Sequence, residues 1–282
     1  MLSSYILSLR EGLEAALILG IVLGALRQMR RRDLIASVWL GAGSAALVSL
    51  AAAVLLTRLG LELKDPAEAI FEGLTMLLAA GILTWMIFWM ARQSRNLKAD
   101  LEFGVRRAMQ GGRWSLFGLA FIAVLREGVE LALFLTAAAF SSDARQAIVG
   151  AALGLGTAAL LGWLLFAASV RLDLRRFFQV TGFLLILFAA GLAAHGVGEL
   201  VEVGWLPSIV AHVWDVNPIL DENSAFGQIL KSLLGYNGNP SLTEVLAYLG
   251  YFGAVLLGLR RAGRRRRPEP VEGSAAAAQA QD

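Results

Sequence analysis

Seven apolar stretches of the chain are each long enough to cross a bilayer, which needs about 20 helical residues. They lie at 3–26, 34–57, 68–91, 115–140, 146–170, 177–199 and 243–260. Only 17% of the residues are charged, whereas a typical soluble domain has about 25%. Because lipid cannot satisfy open backbone groups, apolar stretches of this length favour helices. The sequence predicts an all-α integral membrane protein with seven transmembrane helices.

Basic residues are concentrated in alternate connections between these stretches. Arginines follow the first, third, fifth and seventh stretches, and the connections between are poorer in Arg and Lys. Positively charged residues next to membrane spans stay in the cytoplasm. We therefore expect a multi-pass protein of the cytoplasmic (inner) membrane, with the N-terminus outside and the C-terminus in the cytoplasm. The N-terminus has no signal-peptide pattern, so the first stretch is expected to remain as a span.

Three segments recur in the same order along the chain. The matching segments are 10–17 with 126–133, 41–46 with 154–159, and 79–81 with 189–191. Chance similarity between Leu- and Ala-rich helices does not explain why all three matches keep their order. Because three spans is an odd number, the second copy must enter from the opposite side. The sequence predicts two inverted three-helix repeats plus a seventh helix, a plan that places transporter sites near the membrane midplane.

The predicted organisation has six parts. They are a first three-helix repeat at 1–92, a cytoplasmic basic connection at 93–114, a second inverted three-helix repeat at 115–200, an outside loop with a short interfacial helix at 201–242, the seventh helix at 243–262, and a cytoplasmic tail at 263–282. Apolar spacing over 224–234 indicates the short helix. The tail has few large apolar residues and is expected to be disordered.

The first repeated segment places charged side chains inside two apolar stretches. The residues are Arg10, Glu11 and Glu14 in the first stretch and Arg126, Glu127 and Glu130 in the fourth. A helix turns about 100° per residue, so each set of three falls within one stripe of about 100°. A charge at the bilayer centre costs about 2.5–3.5 kcal/mol, so these side chains should face a cavity or the bundle interior.

The charges of the two motifs predict a cation site. Four glutamates and two arginines leave a net charge of −2, which a divalent ion would neutralise. Carboxylates are hard ligands that suit Mg, Ca, Mn or iron better than a soft metal. The four glutamates are candidate metal ligands, and the arginines are expected to pair with them. Ion pairs that only join helices, and a proton relay between neighbouring carboxylates, are the alternative interpretations.

Three other residues are candidates to line an ion path. Glu72 lies a short way into the third span from the outside and could pass an ion towards the motifs. His195 and Glu199 lie four residues apart near the outer end of the sixth span. A single histidine in such a position is more often a hydrogen-bonded packing residue.

At these motifs the sequence resembles the oxidase-dependent iron transporter family, the iron permeases of fungi and bacteria, which carries Arg-Glu-x-x-Glu in its first and fourth spans. The similarity covers about residues 1–260, is closer to the bacterial ferrous iron permease branch, and is supported by 72–90 and 233–252. It implies that the motif glutamates bind iron during permeation and that a periplasmic iron-delivery, oxidase or peroxidase partner acts nearby. This chain lacks the acidic tail of the fungal members and has no cysteine.

The sequence therefore predicts a high-affinity iron permease rather than an enzyme, with iron as the substrate and no permanently bound cofactor. A permease for another hard or divalent cation, such as Mn or Pb, is the alternative on the same scaffold. A membrane-embedded carboxylate metalloenzyme is less favoured, because carboxylate di-iron proteins usually add Glu-x-x-His ligands. Nucleic acid is not an expected partner, since the C-terminal arginines fit a topology anchor at anionic lipid. The oligomeric state stays open.

Overall fold

A computed structural model of the chain describes residues 1–93, 97–141, 144–167, 173–222 and 224–264. Within these ranges the regular structure is helical throughout, and no strand occurs. The helices are α1 (Leu2–Gln28), α2 (Ile35–Glu62), α3 (Ala67–Gln93), α4 (Leu97–Gln110), α5 (Gly112–Phe140), α6 (Ala144–Ala167), α7 (Leu174–Glu202), α8 (Ala225–Leu234) and α9 (Leu242–Arg264). The predicted all-α class is confirmed. The tail predicted to be disordered lies, from residue 265 onwards, outside the described residues.

Among the described residues, five helices are long and apolar enough to cross a membrane. These segments are Arg32–Gly60, Ala67–Trp89, Ala144–Phe166, Arg176–Glu202 and Leu242–Arg261. Each coincides with a predicted stretch. Helices α1 and α5 have 27 and 29 residues and match the other two stretches, but each holds three charged side chains along its middle.

Large apolar side chains cover the outside of the helices. Leu47 and Ile148 are both 70% exposed, and Trp163 is 63% exposed. A soluble protein rarely exposes contiguous apolar surface of this kind, whereas lipid solvates it. The chain therefore has the surface of an integral membrane protein.

The long helices pack in pairs that join the first half of the chain to the second. Helix α1 lies along α6, α2 lies along α5, and α3 lies along α7. Small residues bring the first pair close together, because a Cβ built on Gly12 would lie 2.7 Å from Ala158 and one built on Gly162 would lie 2.8 Å from Ala16. Later residues of α1 face later residues of α6, so the two helices run parallel.

Two buried apolar clusters lie at different levels of the bundle. The upper cluster joins the beginning of α1 to α3, the end of α5 and α7. Its members are Ile6, Leu7, Met76, Ala79, Ala80, Leu83, Met86, Phe134, Ala137, Ala138, Leu185, Phe188, Ala189 and Leu192. The lower cluster joins the end of α1 to the beginnings of α2 and α5 and to α4. Its members are Val22, Ala25, Leu26, Leu34, Val38, Val105, Ala108, Leu116 and Ala120.

The connection predicted at 93–114 contains a helix that the sequence interpretation missed. Helix α4 contacts α1 and α5, and its Val105 and Ala108 belong to the lower cluster. Val105 is fully buried. The segment is therefore a packed amphipathic helix rather than a plain basic linker.

The short helix predicted at 224–234 is confirmed as α8. Ser224 caps its beginning by accepting a hydrogen bond from the Gly227 amide at 3.0 Å. Gly235 ends it with a φ of 66°, a left-handed conformation that glycine adopts without strain. Gly235 also lies against Gly191, which is 11 residues before the end of α7 at Glu202. The end of α8 therefore lies against the second half of α7.

Candidate metal centre

The first charged motif forms a buried ion cluster on α1. The Arg10 guanidinium lies 2.9 Å from Glu11 Oε1 and 3.1 Å from Glu14 Oε1. The side chains of Arg10 and Glu11 are only 2% and 1% exposed, and that of Glu14 is 12% exposed. Burying three charges is favourable only when they are paired, and this arginine bridges both carboxylates. Both glutamates of this motif therefore lie within ion-pair distance of its arginine.

The second motif repeats the pairing on α5 with a more open arginine. Arg126 Nε donates to Glu130 Oε1 at 3.0 Å and lies 3.9 Å from Glu127 Oε1. The Arg126 side chain is 37% exposed, while those of Glu127 and Glu130 are 5% and 13% exposed. The two copies therefore have the same partners but differ in how far the arginine is enclosed.

The two motifs meet inside the bundle. Carboxylate oxygens of Glu11, Glu14 and Glu127 lie within 4.8 Å of one another. Two oxygens that bind one divalent ion at about 2.1 Å are at most about 4.2 Å apart, so a small movement would let all three bind one ion. Glu130 is held by Arg126 beside this group and is not one of the three. Metal binding by the four glutamates stays a prediction, and the geometry groups three of them.

Some oxygens of the centre have no donor in the protein. Within the described ranges, Oε2 of Glu11, Glu127 and Glu130 is buried and accepts no hydrogen bond. Leaving a buried acceptor without a partner costs about 1–3 kcal/mol, and more for a charged one. These oxygens are therefore available to bind a cation or water.

Apolar clusters enclose the centre along the bundle axis. On α1, Leu7 of the upper cluster precedes the motif and Val22 of the lower cluster follows it. On α5 the order is reversed, since Leu116 of the lower cluster precedes the motif and Phe134 of the upper cluster follows it. The carboxylates thus lie between two apolar layers, which lower the local dielectric and strengthen the electrostatic interactions among the charged groups.

Helix α3 supplies a contact to each motif arginine, and the sequence interpretation missed both. Arg10 donates to the Met86 sulfur at 3.3 Å. Arg126 lies over the Trp89 ring at 4.6 Å, within the range of a cation–π interaction. Met86 and Trp89 occur in an apolar run whose composition alone does not separate them from lipid-facing residues.

The three candidate path residues are not members of the carboxylate group. Glu72 and Glu199 are half-buried on α3 and α7, which pack against each other. A Cβ built on Gly73, next to Glu72, would lie 3.1 Å from the Glu199 Cβ, so both acids lie at one helix interface. The His195 Nδ1 is 2.9 Å from the Gly191 carbonyl oxygen. That contact fits the packing interpretation of His195.

Comparison with known proteins places the chain in a family. Residues 1–262 match the iron permease FTR1 family. The chain belongs to this family. It is 36% identical over 256 residues to the ferrous iron permease EfeU of Escherichia coli O6:K15:H31 (strain 536 / UPEC), which covers 90% of this chain and 93% of the relative.

A second permease relative matches over the same number of residues. The ferrous iron permease EfeU of Yersinia pestis is 34% identical over 256 residues, covering 90% of this chain and 91% of the relative. No solved structure matches the chain. The family assignment confirms the resemblance that the motifs indicated, and both relatives are transporters by name.

Proposed function

We propose that this protein is a high-affinity permease that moves iron ions across the cytoplasmic membrane into the cell. The single observation that carries the proposal is the group of three carboxylates contributed by two different helices, Glu11 and Glu14 from α1 and Glu127 from α5. Ion pairs that only join helices would need no excess of acid. Here two arginines face four glutamates, so a divalent ion completes the charge balance.

The chemistry of the centre favours a hard or borderline cation. All candidate ligands are carboxylate oxygens, and the centre contains neither thiolate nor imidazole among the described residues. Glu130 joins the set when the ion draws it away from Arg126, and the arginines limit repulsion between the glutamates when the ion leaves. Fe(II) would neutralise the net charge of −2.

The proposed architecture has seven transmembrane helices, α1, α2, α3, α5, α6, α7 and α9, arranged as two inverted repeats and a last helix. The helix pairs support it. Exchanging the repeats converts α1 into α5, α2 into α6 and α3 into α7. This exchange turns the α1/α6 pair into the α5/α2 pair, which is also observed, and leaves the α3/α7 pair unchanged. A two-fold relation between the halves has this property.

The alternating arginines support an N-terminus outside and a C-terminus in the cytoplasm. In that orientation the upper apolar cluster lies towards the outside and the lower cluster towards the cytoplasm. The domain boundaries at 92, 114, 200, 242 and 262 are part of the same proposal.

The entry path on the outer side includes the interface of α3 and α7. Glu72 lies five residues from the beginning of α3, and Glu199 lies three residues from the end of α7. Two partly buried acids raise the local cation concentration before the ion reaches the centre. His195 is placed near this path as a packing residue. Glu199→Gln should slow uptake at low iron and leave uptake at saturating iron unchanged.

Two further features belong to the proposal. Iron is delivered from the outer side by a partner, and any oxidation of iron is done by that partner. The alternative substrates are Mn and Pb, because carboxylates do not distinguish strongly among divalent ions. A carboxylate metalloenzyme is less favoured, since both named relatives are permeases.

Uptake of labelled iron into proteoliposomes tests the proposal. The full chain is compared with a Glu14→Ala, Glu130→Ala double variant and with Glu62→Gln, which changes an exposed glutamate at the end of α2. The double variant should lose uptake, and Glu62→Gln should keep it. Uptake at the unaltered rate in the double variant would rule out the proposed path.

A further inference from the structure

The helix pair α1/α6 and its repeat counterpart α5/α2 are packed in different registers. The offset between matching residues is 116 for the motif helices, from Gly12 to Gly128, and 113 for their partners, from Ala45 to Ala158. In the first pair, Gly12 faces Ala158. The counterparts of these residues are Gly128 and Ala45, so Gly128 would face Ala45 if both pairs had the same register. Instead Gly128 faces Ser49, whose Cβ would lie 2.6 Å from a Cβ built on the glycine.

A second contact gives the same displacement. Gly154 on α6 faces Tyr5, Ser8 and Leu9, with the Ser8 Cβ 2.8 Å from a Cβ built on the glycine. Its counterpart Gly41 on α2 faces Phe117, Ala120 and Phe121, which correspond to residues 1, 4 and 5 of α1. In both comparisons, the observed neighbour lies four residues away from the one expected if the two helix pairs shared a register. Four residues are one helical turn, or about 6 Å along the axis.

Small residues recur every four positions on α1, α6 and α2. On α5 the same row is interrupted once by Val124, which faces a small residue of α2 in either register. The small residues are Ser8, Gly12, Ala16, Gly20 and Gly24 on α1; Gly150, Gly154, Ala158 and Gly162 on α6; Gly41, Ala45, Ser49 and Ala53 on α2; and Ala120, Gly128, Ala132 and Thr136 on α5. Small residues at this spacing let helix backbones approach closely. Moving one helix by four residues replaces one small pair by another, so two registers one turn apart can both be close-packed.

We propose that transport proceeds by a one-turn slide of α1 and α5 together along α6 and α2. The inference rests on the proposed function and adds the movement that carries the ion. In the second state, each helix pair adopts the register that the other pair has in this structure. Gly12 then lies opposite Gly162, and Gly128 lies opposite Ala45. One-turn movements of one packed element past another are a known kind of switching transition.

In the proposed slide, α1 and α5 move towards the same side of the bundle. In the exchange, α1 moves towards the C-terminal end of α6 and α5 moves towards the N-terminal end of α2. Those ends lie on one side, because the lower cluster joins the end of α1 to the beginnings of α2 and α5, and α6 runs parallel to α1. The helices that share the carboxylates therefore move as one body. With the proposed orientation, the ion moves towards the cytoplasm.

Paired cysteines report each register, and the natural chain contains no cysteine that would interfere. Ser8→Cys with Ala158→Cys, and separately Ser49→Cys with Ala132→Cys, bring the two thiols face to face only in the second register. Ala16→Cys with Gly162→Cys reports the register of the structure. The first two pairs change no glycine, and iron uptake by their reduced forms shows whether the added sulfur atoms are tolerated. Single-cysteine variants are the controls for cross-links between molecules.

The full-length variants are reconstituted in liposomes, oxidised with and without Fe(II), and scored for intramolecular cross-linking and iron uptake. The slide predicts that all three pairs cross-link, that each cross-link abolishes uptake, and that reduction restores it. The proposal is overturned if only the Ala16/Gly162 pair cross-links while the reduced second-register variants transport iron normally. It is also overturned if cross-linked molecules keep transporting. Failure of the unmodified chain to take up iron would instead contradict the proposed function, since cross-linking is read independently of uptake.

Discussion

Arg10 and Arg126 occupy the same position in two copies of one motif, yet the Arg10 side chain is 2% exposed and the Arg126 side chain is 37% exposed. Arg10 bridges both glutamates of its motif and contacts Met86, whereas Arg126 bonds mainly to Glu130 and rests on the Trp89 ring. The arginine of the first motif is therefore enclosed on all sides. The second motif is the half of the centre whose arginine has room to move.

Replacing the two arginines should have unequal effects on stability. Arg10→Ala leaves two buried carboxylates without their cation, a loss of about 3–5 kcal/mol when one partner of a buried ion pair is removed. Arg126→Ala should destabilise much less, because that side chain is partly exposed. Thermal unfolding of both variants in detergent measures the difference. Equal losses would contradict the difference in enclosure between the two arginines.

Trp89→Leu should weaken iron uptake by removing the ring beneath Arg126. A partly desolvated cation–π contact contributes about 1 kcal/mol, so the apparent affinity should fall roughly fivefold. Trp85→Leu is the matched control, since Trp85 stacks on Trp89 at 6.3 Å and is 58% exposed. Saturation curves for iron uptake separate the two variants. An identical small effect in both would show that the ring does not position Arg126.

Gly12→Ala should destabilise the bundle, and Gly24→Ala on the same helix should not. A Cβ on Gly12 would lie 2.7 Å from Ala158, which forces α1 away from α6, whereas Gly24 has no neighbour within 4 Å of its added Cβ. Alanine in an open helical position is favoured over glycine by about 0.5–1 kcal/mol. Thermal unfolding midpoints should fall for the first variant and stay or rise for the second. The reverse order would contradict the described α1/α6 contact.

Competition between metals should follow ligand hardness. Because the centre offers carboxylate oxygens, excess Mn(II) should reduce the uptake of labelled Fe(II), while Cu(I) under reducing conditions should not. Uptake in liposomes with a fixed iron concentration measures both. Strong inhibition by Cu(I) would indicate a soft ligand set that the carboxylate group does not contain. If Mn(II) entered faster than iron, the manganese permease would become the preferred function.

Much of the fold follows from the sequence because long apolar runs have few alternatives to a helix in lipid. The stretch predicted at 68–91 became α3 at Ala67–Gln93, and the one at 115–140 became α5 at Gly112–Phe140. Helix α4 was missed because its charged residues suggested a cytoplasmic linker. Its Val105 and Ala108, three residues apart, are the signal that it has a face to bury.

The residues of the candidate centre could be partly predicted from the sequence for a different reason. Charge inside an apolar run is costly, so the motif residues stood out wherever the neighbouring helices lay. Their contacts with Met86 and Trp89 could not be predicted from the sequence, since both residues are ordinary members of an apolar span. The one-turn difference between the helix pairs was hidden as well. A small residue every four positions is compatible with either register, and only packing selects one.

Locating bound iron tests the account most directly. A structure of the full chain with Fe(II), with iron positions taken from anomalous scattering, identifies the ligands without relying on transport. The account predicts an iron site between α1 and α5, bound by oxygens of Glu11, Glu14 and Glu127. Iron found only elsewhere, for example beside Glu72 and Glu199, with these three carboxylates unbound, would contradict it.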